Sequence, residues 1–209
     1  MSTRRGEDAM VRPVPRTVRA SYATPYGEGE VIVSDGLLAG VTLPITAERG
    51  TPEAGGHAEG CSGAGAREAG SGEDRKALIR WKGELEAYFR GERLSWAPDE
   101  VGLDGIGLGE FERKVYRTLL CVPPGTTVGY GELAEMAGYH RAARAVGSAM
   151  AKNPIPIVVP CHRVIRADGT LGNYGDDPEW KPRLLEHETA FAKRGERPRA
   201  SQGKLQASA

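Results

Sequence analysis

The chain has 209 residues, and its 28 lysines and arginines balance its 28 aspartates and glutamates. That length suffices for one domain with a proper core or for two small ones, and the absence of net charge means that any nucleic-acid contact must come from local clustering. No apolar leader or bilayer-length stretch occurs, and three widely spaced cysteines (Cys61, Cys121 and Cys161) argue against a disulfide framework and fit a reducing, cytoplasmic compartment.

Residues 1–16 are polar, arginine-rich and interrupted by Pro13 and Pro15, which predicts a flexible arm. Thr17–Ala23, Gly29–Val33 and Leu37–Leu43 are short β-rich runs around a Pro25/Gly27 turn and predict a small β-meander. In residues 46–72 Gly, Ala, Glu and Ser dominate, so the segment buries too little apolar surface to offset its ordering entropy; a disordered insertion is expected. It carries His57 and Cys61, a pair without the further ligands a metal site needs, so no metal is predicted. Lys76–Arg90 places Leu78, Trp81, Leu85, Tyr88 and Phe89 on one helical face, with Asp74 as the expected N-cap and with Gly91 and Pro98 ending the helix. Residues 17–100 therefore read as an N-terminal α/β domain, and 91–109 as a linker.

Glu110–Cys121 is a second amphipathic pattern, with Phe111, Val115 and Leu119 recurring at fours and Pro123-Pro124-Gly125 as its stop. Cys121 extends the apolar end and is expected in the core. Tyr130–Ala137 and Arg141–Lys152 flank Gly138, a pattern that fits a helix-turn-helix or an ordinary αα-hairpin. In Asn153–Pro160 three prolines bracket an apolar β-branched run, which predicts an extended, stiff and partly buried approach to Cys161-His162-Arg163. After Val164–Ile165, Asp168-Gly169 marks a turn. A last helix is expected from about Lys181, with Pro182 in its first turn and Leu184, Leu185 and Phe191 inward. Residues 108–194 form the C-terminal unit, and 195–209 read as a disordered tail. The predicted fold class is α+β: a small sheet domain with a helix, then a mostly helical domain.

A thiol becomes a good nucleophile beside a base or a positive charge. Cys161 is followed by His162, Arg163 and Arg166, yet a bare Cys-His pair also fits a structural cysteine beside a surface histidine. In an extended chain His162 would point away from the thiol and act through a turn or a bridging water. Charge adds a second clue. No acid stands between Glu135 and Asp168, a window that holds Arg141, Arg144, Lys152, Arg163 and Arg166 together with His140 and His162. Within it Ala142, Ala143, Gly147, Ser148 and Ala149 make a small-sided helix, suited to close approach either to a phosphate-lined groove or to another helix.

Ile-Pro-Ile-Val-Val-Pro-Cys-His-Arg-Val closely resembles the active-site motif of the O6-alkylguanine-DNA alkyltransferases. Thr-Val-Gly-Tyr-Gly-Glu-Leu-Ala, Arg-Ala-Val-Gly-Ser-Ala-Met and Leu-Leu-Glu-His-Glu support the match in order and spacing, from about Phe111 to Glu188. The resemblance implies that Cys161 accepts an alkyl group from O6-alkylguanine in double-stranded DNA, with O4-alkylthymine a second candidate base. It implies one turnover per molecule, no cofactor, no membrane and a monomer. His162 would take the thiol proton through water, and Glu188 would orient His162. Asn153 would tie the helix pair to the active-site segment, and Tyr130 would protonate guanine as the bond breaks. Arg144 would enter the base stack in place of the extruded guanine, with Tyr130, Ala143, Gly147, Ser148 and Arg163 also on the DNA. Val164, Tyr174, Gly175, Met150 and Pro156 would line the substrate pocket, which Tyr174 and Lys181 would help to close.

The sequence departs from the family pattern at Gly129, where a serine is frequent, and in the loop after Tyr174, where Asp176, Asp177 and Glu179 replace an uncharged glycine-rich stretch. Acids lining the pocket would slow reaction by raising the thiol's pKa and repelling phosphate. Three other readings compete. A non-enzymatic alkylated-DNA-binding relative would lack the cysteine, a Cys-His hydrolase would need an oxyanion hole, and a helix-turn-helix regulator would bind DNA sequence-specifically.

Overall fold

The computed structural model describes residues 17–44, 70–172, 174–175 and 177–195. The expected arm, nearly all of the expected 46–72 insertion with His57 and Cys61, the tail beyond residue 195 and Asp176 lie outside the described residues.

The N-terminal sheet is an antiparallel meander of β1 (Thr17–Thr24), β2 (Gly27–Ser34) and β3 (Leu37–Thr42), as the sequence predicts. Alternation sets its buried face: Val31 and Val33 of β2 point inward with Val18, Tyr22, Leu38 and Val41. Tyr22 pairs across the strands with Gly29, lies over the site where a Cβ would stand, and donates from its hydroxyl to Thr42 O at 2.8 Å. Helix α1 (Gly72–Phe89) closes this face with Trp81, Leu85, Tyr88 and Phe89.

The start of α1 differs from the sequence reading. Ser71, not Asp74, is the N-cap: its Oγ accepts from Asp74 N at 3.0 Å, while the Asp74 carboxylate accepts from Ser71 N at 2.8 Å. Asp74 also accepts from Gly36 N at 2.7 Å, so one buried carboxylate fastens the helix start to the β2–β3 turn. The stretch expected as a linker is also built into the fold. It holds the short helix α2 (Pro98–Val101) and a 3₁₀ turn at Leu103–Gly105, and it buries Trp96, Val101 and Leu103.

The C-terminal half packs around α3 (Glu110–Leu120), whose Val115, Tyr116, Leu119 and Leu120 are buried. Cys121 is exposed rather than in the core. It lies two residues beyond Leu119, about 200° around a helix, and Val122 takes the inward place instead. Helices α4 (Tyr130–Met136) and α5 (Ala143–Ala151) form the expected helix-turn-helix pair about Gly138, whose φ is +78°. Glu135 staples the turn, bonding His140 Nδ1 at 2.5 Å and accepting from Arg141 N at 3.4 Å. Tyr116 Oη donates to Ala149 O at 2.6 Å and so holds α5 on α3.

Two two-residue strands, β4 (Val128–Gly129) and β5 (Val164–Ile165), pair in parallel, Val128 with Val164 and Gly129 with Ile165. Tyr130 follows β4 directly, and Cys161–Arg163 precedes β5 directly. This bridge therefore brings the start of α4 beside the cysteine turn. Helix α6 (Trp180–Gly195) packs back onto both halves. Its Trp180 Nε1 donates to Pro44 O at 3.0 Å, and its His187 Nε2 bonds Tyr88 O at 2.7 Å. Among the described residues no helix is long and apolar enough to cross a membrane.

Candidate active site

The segment leading to Cys161 is a compact loop, not the extended run that its prolines suggested. Ile157 adopts φ +72°, Pro156 and Val159 form a bridge, and Val159 N donates back to Ile155 O at 2.9 Å. A proline's fixed φ suits a turn as well as an extended chain. What selects the loop is Asn153. Its Oδ1 accepts from Ile155 N at 3.1 Å, and its Nδ2 donates to Val159 O at 2.9 Å and to Cys161 Sγ at 3.1 Å. Asn153 follows α5 by two residues, so one side chain joins the helix pair to the sulfur.

Cys161-His162-Arg163 then forms a 3₁₀ turn that sends the three side chains to different places. Cys161 faces a cleft of about 1610 Å³. His162 and Arg163 point into the protein, where both meet Glu188 of α6. Glu188 Oε1 is 2.8 Å from His162 Nε2, 2.8 Å from Arg163 Nη2 and 3.0 Å from the Tyr88 hydroxyl. Its Oε2 accepts from Arg163 Nε at 2.9 Å and from Gly125 N at 3.0 Å. Arg163 also donates to Val122 O at 2.5 Å and Leu94 O at 2.7 Å.

Arg163 is thus corrected from DNA contact to buried anchor: it is 1% exposed, and a guanidinium spent on a carboxylate and two carbonyls cannot reach a phosphate. Val164 is corrected as well. It is fully buried against β4 and does not line the cleft, whereas Ile165 does. The one-residue alternation along β5 decides which of the two faces the opening.

Of the other expected residues, ten line the cleft: Tyr130, Ala143, Arg144, Gly147, Met150, Asn153, Pro156, Tyr174, Gly175 and Lys181. Ser148 stands on the exposed side of α5, with its hydroxyl turned back to Arg144 O at 3.2 Å. Lys181 is buried; its Nζ donates to Val164 O at 2.6 Å and to Leu171 O, and lies 5.9 Å from the centre of the Tyr130 ring. Asp177 also lines the cleft, and its Oδ1 accepts from Glu179 N at 3.0 Å, while Glu179 is exposed.

Electrostatics divide the roles. Burial lowers the His162 pKa, which Glu188 only partly offsets, so the ring is neutral at neutral pH. Burial pushes the Glu188 carboxyl up, but His162 and Arg163 outweigh it and hold it well below the usual range. A charged Glu188 then fixes the tautomer: Nε2–H donates to the carboxylate, and Nδ1 is left as a free acceptor. Nδ1 is buried and meets no protein partner among the described residues. Burial raises the Cys161 thiol, and Asn153, Tyr174 and Lys181 pull it back down. The resting sulfur is therefore protonated, and the neutral histidine that follows it in the chain keeps one nitrogen free to accept a proton. Among the described residues no group of three or more His, Cys, Asp or Glu side chains is placed to hold a metal.

Sequence reasoning missed several contributors. Tyr88 belongs by periodicity to the apolar face of α1, and its hydroxyl alone hints at the bond to Glu188. Thr42, Leu43 and Pro44 bring the end of β3 to the cleft, and Trp180 joins them there. Nothing in their local sequence marks them.

A family model described as "6-O-methylguanine DNA methyltransferase, DNA binding domain" matches residues 110–190. The methylated-DNA–protein-cysteine methyltransferase of Mycobacterium leprae is 50% identical over 105 residues, which are 50% of this chain and 61% of that protein. The match thus spans about three fifths of that relative's length. Two solved structures resemble the whole fold. One is a variant of the Mycobacterium tuberculosis O6-methylguanine methyltransferase, with a TM-score of 0.57 and 30% identity over 84% of this chain and 94% of that one. The other is Mycobacterium tuberculosis OGT in complex with DNA, with a TM-score of 0.58 and 29% identity over 83% of this chain and 93% of that one.

Proposed function

The chain belongs to the O6-methylguanine-DNA methyltransferase family, and from that membership we propose that it repairs DNA by moving an alkyl group from the O6 atom of guanine onto its own Cys161. The observation that carries the reading is the arrangement around the cysteine turn: Cys161 faces the cleft and accepts from Asn153 Nδ2, while the adjacent His162 is buried on Glu188 with its Nδ1 left unpartnered among the described residues.

The chemistry follows from these positions. O6 is out of reach in a stacked duplex, so the nucleotide leaves the stack at a cost of a few kcal/mol and enters the cleft. Arg144, exposed at the start of α5, fills the vacated position, and the small Ala143 and Gly147 let that helix lie close to the DNA in the minor groove. The thiol proton passes through a bridging water to His162 Nδ1, and Glu188 stabilises the imidazolium that results. The sulfur attacks the alkyl carbon as the carbon–O6 bond breaks, and the Tyr130 hydroxyl gives a proton to the departing guanine. Burial raises the Tyr130 pKa, so the proton is present at neutral pH. The product is a thioether, which none of the groups around the cleft can cleave. The protein acts once, as a monomer without a cofactor, on double-stranded DNA in the cytoplasm. Met150, Pro156, Tyr174 and Gly175 shape the pocket, and Lys181 braces its wall. A role limited to binding alkylated DNA is disfavoured, because the acceptor cysteine stands in the cleft.

The test is to mix the protein with a duplex containing O6-methylguanine and weigh the intact protein and its peptides. One methyl group on the Cys161 peptide, and no reaction beyond one equivalent, is the expected result. Continued turnover or an unmodified Cys161 would sink the reading.

A further inference from the structure

We propose that Arg166 binds a backbone phosphate of the damaged strand at the mouth of the cleft, beside the Tyr130 hydroxyl. The inference rests on the alkyl-transfer reading and adds a contact to it. Five Lys and Arg residues lie in the acid-free window, but only two of them, Arg144 and Arg166, line the cleft. The other two cations near the sulfur are already committed. Arg163 is held by Glu188 and two carbonyls, and Lys181 by the carbonyls of Val164 and Leu171.

Arg166 is exposed and makes no ion pair among the described residues. Its nearest acid in sequence, Asp168, has its carboxylate oxygen Oδ1 occupied by Thr170, which donates from its N at 2.9 Å and from its hydroxyl at 2.6 Å.

The backbone beneath Arg166 is fixed. Arg166 N donates to Thr170 O at 2.9 Å, and Gly169 N donates back to Arg166 O at 3.0 Å. Gly172 lies between Arg166 and Tyr130: a Cβ there would stand 3.4 Å from Arg166 Nε and 3.7 Å from Tyr130 Oη. The guanidinium and the phenol therefore flank one glycine. Depth separates their ligand from the base. Cys161 is buried on the cleft wall, whereas Arg166 stands at the exposed rim, where the charged backbone of an inserted nucleotide remains. A planar fork of N–H donors suits a phosphate there.

The experiment compares wild type with Arg166→Ala and Arg166→Lys in three measurements: binding of an unmodified duplex across salt concentrations, transfer from an O6-methylguanine duplex, and transfer from O6-benzylguanine as the free base, which has no phosphate. For the alanine variant the slope of log affinity against log salt should fall by about 0.9, one phosphate contact. Its duplex affinity and transfer rate should fall several-fold, with free-base transfer within twofold of wild type. Lysine should restore the slope, because it returns the charge. An unchanged slope, or equal slowing on duplex and free base, overturns the proposal. A wild-type protein that binds duplex but transfers nothing overturns the function reading instead, and the salt slope still tests Arg166.

Discussion

Glu188 gathers two hydrogen-bonding side chains and a guanidinium around one buried carboxylate, and its removal should be felt in both stability and chemistry. Glu188→Gln leaves Arg163 buried without its counter-charge, a change that costs about 3–5 kcal/mol. Urea unfolding of the variant, together with single-turnover transfer, checks both effects. The carboxyl is held below its unfolded value, so its stabilisation is complete above the ordinary carboxylate pKa of about 4.3 and drains away as pH falls through the folded value. His162 pushes the same way. Its pKa lies below that of a free imidazole, so the folded state gives up a proton that the unfolded chain retains below about pH 6.5. Transfer should accordingly be flat from neutral pH upward and fall on the acid side, as the proton acceptor fills; stopped-flow rates against pH test this. At the rim, Asp177→Asn keeps the oxygen that accepts from Glu179 N but removes a negative charge from the cleft. Duplex transfer should quicken several-fold at low salt, and an unchanged rate would remove Asp177 as a brake.

Among the elements, the loop between β5 and α6 carries three described glycines with positive φ, Gly169, Gly172 and Gly175. Gly172 has φ +70°, while a methyl group there would meet Arg166 and Tyr130 only at ordinary van der Waals distance. Gly172→Ala should therefore cost about 1–2 kcal/mol from the left-handed backbone and slow transfer no more than that loss explains. Comparing thermal stability with transfer rate checks this. The start of α1 carries a simpler expectation: Ser71→Ala removes the N-cap acceptor and should lower stability by about 1 kcal/mol. These elements also show where local sequence misled. Asp74 looked like a cap because it precedes an apolar face, but the capping box begins three residues earlier. Asn153–Pro160 looked extended because prolines forbid a helix, yet Asn153 supplies the donors that a tight loop needs.

The whole molecule is tied across its two halves by polar bonds at buried and half-buried positions. Tyr88 of α1 reaches Glu188, Leu94 O receives Arg163, Pro44 O receives Trp180, and Val41 N donates to Pro154 O at 2.9 Å. Separating the halves would leave the buried Glu188 and Arg163 short of partners, so the two should unfold in one transition. Calorimetry that resolved two independent transitions would contradict this. Tyr88→Phe isolates one tie: it should cost about 1 kcal/mol and leave the fold intact. A slower transfer in this variant would show that the N-terminal half helps to hold the histidine.

Local sequence suffices for the meander, for the positions of the long helices to within a few residues, and for a short list of candidates around Cys161. Those features rest on alternation, 3.6-residue periodicity and a motif, all of which are local. Local sequence cannot assign Arg163 or Val164, because a charged or apolar residue looks the same whether it faces DNA, solvent or core. The parallel pairing of β4 with β5 and the return of α6 settle those two. The tertiary structure also places Tyr88, Pro44 and Trp180 at or behind the cleft. Burial and pairing depend on what arrives from far along the chain, and Glu188 meets Tyr88 across 100 positions of sequence.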